Sequence, residues 1–124
     1  MSNVFSPKKF FKSFGYALNG LKQALKLGQN LKVQLFAAII AIILACFLHC
    51  SVVEFVAILL CIGAVLSLEI INTAIEECCN FISPQYHNKI KLIKDLSAAA
   101  VLVMSLIALI VGAVIFLPKL VHCC

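Results

Sequence analysis

Residues 55–80 read FVAILLCIGAVLSLEIINTAIEECCN, and the reading of that stretch decides the fold. It opens as an unbroken apolar run, Phe55 to Leu68. It then passes into Glu69-Ile-Ile-Asn72-Thr73-Ala-Ile-Glu76-Glu77-Cys-Cys-Asn80 with no proline or charge at the join. One continuous helix is the simplest structure that accommodates both halves. At 100° per residue, Asn72 stands about −60° from Glu69, Glu76 about −20° and Asn80 about +20°. Four polar side chains therefore share one face of a helix whose other faces are Ile, Ala and Cys. Carboxylates at membrane depth are costly and mark functional positions by default. A solvated helix end just leaving the membrane is the competing account, and it suits Glu77 better than Glu69.

Composition agrees with a membrane setting. Of 124 residues 64% are hydrophobic and only 12% charged, too apolar for a water-soluble domain of this size. The length allows a single small domain, and no signal peptide is expected before the first long apolar run near residue 33. The net charge of +5 comes from ten Lys and no Arg, six of them before residue 33. A basic arm on so apolar a chain points to anionic lipid headgroups as partner and away from nucleic acid. Seven Cys occur, at 46, 50, 61, 78, 79, 123 and 124. The adjacent pairs lack the CxxC spacing of a zinc or redox site, so packing is their expected use.

In chain order, residues 1–6 are expected to be loose. From Pro7 to about Leu27, Phe10, Phe14, Leu18, Leu21 and Leu25 recur at helical spacing, with Lys8, Lys12, Lys22 and Lys26 largely off the apolar line. A basic amphipathic helix with aromatic anchors, lying in the headgroup plane, fits that pattern. Gly28-Gln29-Asn30 is the expected break. A first span is predicted over 31–50, Ser51 to Glu54 as a short connection, a second span over 53–80, a loop from Phe81 to Asp95, and a third span over 96–117 closed by Pro118. The Ser97-Ala98-Ala99-Ala100 run would let a neighbouring helix approach closely. Nine Lys fall on the side of the arm and the 83–95 loop, against Lys119 alone on the other, which predicts that the arm, the loop and the acidic stripe face the cytoplasm.

Three segments carry a resemblance: Glu69-Ile-Ile-Asn72-Thr73-Ala74-Ile75-Glu76, Ser83-Pro84-Gln85-Tyr86-His87, and Lys94-Asp95 with the small residues after it. Together with Gly15-Tyr16 and Gly20-Leu21-Lys22, these are similar to the prokaryotic integral-membrane diacylglycerol kinase family, which includes the undecaprenol kinases. The resemblance covers nearly the whole chain. It implies an all-α homotrimer in the bacterial cytoplasmic membrane, each subunit with a surface helix and three transmembrane helices. It also implies transfer of the γ-phosphoryl group of Mg-ATP to the primary hydroxyl of diacylglycerol, giving phosphatidic acid, with undecaprenol as the alternative acceptor. By the same resemblance Glu69 would be the general base and Asn72 its neighbour in catalysis. Glu76 would ligate Mg2+. Lys9, Tyr16, Glu76, Gln85, Tyr86, His87, Lys94 and Asp95 would surround ATP, and Glu69, Ser97 and Ala98 would meet the lipid.

On the residues alone, Lys94 is equally a charge anchor at the head of a span. Tyr86 is equally an interface aromatic, His87 a loop residue and Lys9 a headgroup contact. The chain also departs from the family pattern. Gly28 stands where a second metal-ligating Glu is usual, Asn80 where an Asp is common, and Gln34 and Gln85 where Glu is common. A site with fewer carboxylates implies weaker magnesium binding by the protein, or a family member of little or no kinase activity. A structural membrane protein, the third class, leaves the acidic stripe without an explanation, and a small transporter or channel subunit is the second. It would want polar residues through the full depth of a span, and the first and third spans are nearly bare of them.

Overall fold

A computed structural model describes residues 6–123; the expectations for residues 1–5 and for Cys124 lie outside it. Among the described residues there are four helices: α1 (Pro7–Leu27), α2 (Gln29–Phe47), α3 (Val52–Ile82) and α4 (Asn88–Cys123). Three of them, Gln29–Phe47, Val52–Ile82 and Asn88–His122, are long and apolar enough to cross a membrane. α3 is the common partner: α4 packs along it most extensively, α2 next, and α1 more lightly. At 31 and 36 residues, α3 and α4 are about 46 and 54 Å long, well beyond the ~30 Å hydrocarbon core.

The helix boundaries follow from local chemistry. Ser6 caps α1 by accepting from the Lys9 backbone N–H, and Pro7 occupies the first helical position, where its missing N–H costs nothing. Only Gly28 breaks the chain between α1 and α2; Gln29 and Asn30, expected in the break, already belong to α2. α2 stops at Phe47, short of the expected Cys50. His49 there takes a left-handed φ of 52°, and the Cys50 and His49 N–H groups return to the carbonyls of Ala45 and Cys46. This is a Schellman stop with His in the place glycine usually takes. Ser51 then caps α3 in a reciprocal box, its hydroxyl accepting from Glu54 N–H at 3.2 Å and its own N–H donating to Glu54 Oε1 at 2.9 Å. Val52 to Glu54 are therefore helical, not a connection.

Two further expectations are corrected. The loop predicted over 81–95 shrinks to Ser83–His87, because α3 runs on to Ile82 and α4 begins at Asn88, not Leu96. His87 starts α4 by accepting the Lys89 N–H on Nδ1 at 3.0 Å, and a Lys91–Asp95 ion pair of 2.6 Å spans the first turns. Pro118 does not close the last helix but lies within it. One lost hydrogen bond near a helix end is tolerable, and the continuation brings Lys119 to Glu54 at 3.0 Å, tying the end of α4 to the start of α3.

Packing follows a seven-residue repeat with one buried position added to it. The repeat is Leu31, Ala38 and Ala45 on α2, and Ile58, Val65, Asn72 and Cys79 on α3; Glu69, also buried on α3, lies four residues beyond Val65. A period of seven keeps one seam facing its neighbours along gently supercoiled helices. At the end away from the acidic stripe, Ala45, Ile58 and Ile115 join α2, α3 and α4 in one apolar cluster. Between there and the stripe the helices diverge around an apolar cleft of about 660 Å³, lined by residues such as Ala38, Ile62, Val65, Ala108 and Gly112. Outward-facing Phe36, Leu60 and Ile110 stay exposed, as side chains that meet lipid do.

Candidate active site

The seam of α3 changes character halfway along. Its outer half is Ile58, Ile62 and Val65; the same i, i+4, i+7 line then continues as Glu69, Asn72, Glu76 and Cys79. Glu69 and Asn72 are 2% and 6% exposed, the only buried polar side chains among the described residues. The acidic stripe seen in the sequence is thus the packing seam itself, turned polar where it nears the membrane surface.

Asn72 Nδ2 donates to Glu76 Oε1 at 3.2 Å, and Thr73 Oγ1 donates to the Glu69 carbonyl at 3.0 Å. From the first turn of α2, the Asn30 side-chain amide faces the Glu69 carboxylate. Two acceptors are left over: Glu69 Oε2 and Asn72 Oδ1 are buried and have no hydrogen-bond partner. An unpaired buried acceptor costs about 1–3 kcal/mol, so a pair of them three residues apart on one face is a place where a hydroxyl or amide donor is welcome. Glu76 and Glu77, further toward the helix end, are exposed.

Across from the stripe, Lys94 on α4 donates to Asn80 Oδ1 at 2.7 Å, joining the last turns of α3 to the early turns of α4. Asn80 is neutral, so the lysine keeps its charge uncompensated there. Asp95 turns to Lys91, and both are exposed. Gln85, Tyr86 and His87 lie on the short linker, Tyr86 at 78% exposure, and His87 serves α4 as a cap. Ser97 is half-buried and Ala98 exposed on α4. Lys9 and Tyr16 are exposed on α1, and among the described residues no hydrogen bond or ion pair joins them to the stripe. The structure therefore gathers Glu69, Asn72, Glu76, Asn80 and Lys94 at one end of the α3–α4 pair and leaves Lys9, Tyr16 and Tyr86 at its margin.

α1 crosses the same half of α3. A groove of about 500 Å³ lies between them, lined by Ala17, Gly20 and Ala24 on one side and Ile70, Thr73 and Glu77 on the other. Gly28, at the turn out of α1, allows this closeness: a Cβ there would lie 3.0 Å from the Ala24 carbonyl oxygen and 3.1 Å from Thr73 Oγ1. Sequence reasoning missed Asn30 and Thr73 as site residues. Asn30 falls in the Gly28-Gln29-Asn30 stretch where the sequence predicts a break, and nothing local marks it as facing Glu69. Thr73 stood inside the motif, yet its contact with Gly28 depends on how α1 turns.

No three His, Cys, Asp or Glu side chains gather among the described residues. The oxygen donors present, Glu76 and its neighbour Glu77, suit a magnesium ion that keeps several waters and takes most other ligands from nucleotide phosphates. On that donor chemistry the residues fit a hard divalent cation such as Mg2+.

The family model for prokaryotic diacylglycerol kinase matches residues 15–116. The chain is 38% identical to undecaprenol kinase of Bacillus subtilis (strain 168) over 112 residues, 90% of this chain and 91% of that one. It is 33% identical to a diacylglycerol kinase of Synechocystis over 109 residues, 87% of this chain and 62% of that one. It is 28% identical to diacylglycerol kinase of Escherichia coli (strain K12) over 107 residues, 86% and 88% of the two chains. The Glu69–Glu76 motif, the three membrane-length helices and these matches lead to one conclusion: the chain is an integral membrane protein of the prokaryotic diacylglycerol kinase family.

Proposed function

We propose that this protein is an ATP-dependent lipid kinase, phosphorylating the primary hydroxyl of a membrane lipid at the cytoplasmic surface. The buried, unpartnered Glu69 Oε2 carries the reading. It lies beside Asn72 and about 10 Å deeper along α3 than the exposed Glu76, with charged Lys94 on the facing helix. A lipid alcohol at the headgroup boundary reaches Glu69 from the bilayer, while a charged nucleotide meets Glu76 and Lys94 from water.

The chemistry asks mainly for placement and charge neutralisation. Glu69 Oε2 accepts the hydroxyl proton as the lipid oxygen bonds to the γ-phosphorus, and the bond from that phosphorus to the β–γ bridging oxygen breaks to release ADP. Asn72, held by Glu76, presents Oδ1 beside Glu69 and keeps the attacking hydroxyl in place. Lys94, resting on Asn80, swings its ammonium to the phosphates. Lys9, Tyr16, Gln85, Tyr86, His87 and Asp95 form the outer wall of the nucleotide site. Glu76 would hold Mg2+ together with the nucleotide, and the ion would supply neutralisation of phosphate charge. Three subunits, each with α1 on the membrane surface, complete the assembly.

Two acceptors meet these requirements. The family resemblance puts diacylglycerol first as an expectation, with Ser97 and Ala98 meeting the lipid, while the wording of the Ile-Asn-Thr-Ala-Ile-Glu and Ser-Pro-x-Tyr-His segments is somewhat more like that of undecaprenol kinases. The 38% identity to an undecaprenol kinase, against 33% and 28% to diacylglycerol kinases, supports undecaprenol at least as well. Membranes containing the protein, labelled ATP and both lipids in competition separate the two by the labelled product. Equal labelling of lipid by wild type and Glu69→Ala would sink the kinase reading itself.

A further inference from the structure

A general base must have one oxygen aimed at its proton and kept there. A glutamate ends in two equivalent oxygens on a broad, two-fold terminal torsion, so burial alone does not decide which of them faces a hydroxyl. The neighbours of Glu69 on its own helix do not decide it either. Asn72 Nδ2 is spent on Glu76 Oε1 at 3.2 Å, and its free atom, Oδ1, is an acceptor. Thr73 Oγ1 donates to the Glu69 backbone carbonyl and so steadies the helix, not the carboxylate. Lys94 is bonded to Asn80 at 2.7 Å, about three turns further along α3.

The donor comes from α2. The Asn30 side-chain amide is the hydrogen-bond partner of the Glu69 carboxylate. Oε2 of that carboxylate has no partner, so the amide serves the other oxygen. Asn30 is brought there by the residues on either side of it. Gly28 lies so close to α3 that a Cβ would stand 3.1 Å from Thr73 Oγ1, and Leu31 is 3% exposed. The backbone between them is pinned beside the buried carboxylate, while Asn30 itself stays open to the outside. An amide suits the task chemically. It donates a directed N–H yet carries no charge, so it holds a carboxylate without neutralising it. A cation in the same place would stabilise the carboxylate and make it a weaker base. Lys32, two residues on, points about 200° away around α2.

We propose that Asn30 is a positioning residue for phosphoryl transfer: its amide holds one oxygen of Glu69 so that Oε2 stays aimed at the attacking hydroxyl. Asn30 touches neither substrate in this role and acts through Glu69. The inference rests on the lipid-kinase reading, and its test separates the two.

Lipid phosphorylation is measured in vesicles for wild type, Glu69→Ala, Asn30→Ala, Asn30→Asp, Glu69→Gln and the Asn30→Ala, Glu69→Gln double variant, with ATP and lipid each varied. Loss of aim with the base still present should lower kcat of Asn30→Ala about tenfold to a hundredfold. The KM values for ATP and for lipid should stay within about twofold. Asn30→Asp keeps the shape but has no N–H to donate, and should lose at least as much. In the Glu69→Gln background Asn30→Ala should change kcat by less than about twofold, because no base is left to aim. A residue that merely supports the start of α2 would cost the same factor in both backgrounds. Both single Asn30 variants should unfold in detergent within about 5 °C of wild type, since one exposed side chain is changed. The proposal is overturned by a kcat for Asn30→Ala within about threefold of wild type, by an active Asn30→Asp, by equal factors in the two backgrounds, or by a larger fall in midpoint. Equal rates for wild type and Glu69→Ala would remove the kinase reading, and this inference with it.

Discussion

Replacing Glu69 with Gln should make the protein more stable and nearly inactive at once. Glu69 is 2% exposed, and its Oε2 is buried without a donor, as is Oδ1 of Asn72 three residues on. An orphaned buried acceptor costs about 1–3 kcal/mol, more where it carries charge. Gln has the same shape, removes the charge, and brings an amide N–H to the face where Asn72 Oδ1 lacks one. Relief of even one acceptor should stabilise the ligand-free protein by about 1–2 kcal/mol, a rise of several degrees in unfolding midpoint for a chain of this size. The same change removes the proton acceptor, which should lower kcat by about a hundredfold to ten-thousandfold. Thermal unfolding in detergent without nucleotide reads the first effect, and lipid phosphorylation in vesicles the second. A residue that merely packs would lose stability with little loss of rate. A lower midpoint for Glu69→Gln, or a rate within about threefold of wild type, would refute the reasoning.

Lys94→Gln should raise the KM for ATP about tenfold or more with a smaller effect on the KM for lipid, because the ammonium meets phosphate and not the alcohol; steady-state kinetics with each substrate varied check this. Gly28→Glu should fail to strengthen magnesium dependence on its own, since its Cβ would press on Ala24 O and Thr73 Oγ1. Adding Thr73→Ala removes only the second contact and leaves the Ala24 carbonyl in place, so the double variant should likewise fail to lower the magnesium needed for half-maximal rate. His49→Gly should stabilise the fold by about 1 kcal/mol, because glycine takes the left-handed φ of 52° without the steric cost that His bears; thermal unfolding measures it, and kcat should not move.

The sequence made the seam of α3 visible because helical periodicity puts Glu69, Asn72 and Glu76 on one face whatever surrounds them. It also showed the membrane class, since so apolar a chain has few other solutions. The 81–95 segment was misjudged for a physical reason. Pro84 and a run of lysines look like a loop in water, yet a helix can start in the headgroup layer when His87 caps it and Lys91 pairs with Asp95. Pro118 misled in a similar way: its position only a turn or so from the helix end makes the lost hydrogen bond affordable. Asn30 and the Gly28–Thr73 contact were invisible because they arise only when α1 and α2 fold back on α3. In general, what one helix face determines was legible, and what two helices determine together was not.

The seven-residue repeat has a bearing on how the helices find their alignment. Apolar seams built from Ile, Val, Ala and Cys are nearly interchangeable from one repeat to the next, so α3 sliding by one repeat past its neighbours would still bury hydrocarbon. Asn72 occupies one of those seam positions. Displaced by a repeat, about 10 Å, its amide would sit either among the aliphatic side chains at the level of Val65 or out at that of Cys79. It would also leave the Asn30 end of α2 behind. Buried Asn in coiled coils fixes register at some expense in stability. In this chain the side chain proposed to steady the attacking hydroxyl would also mark the depth at which α3 must stop.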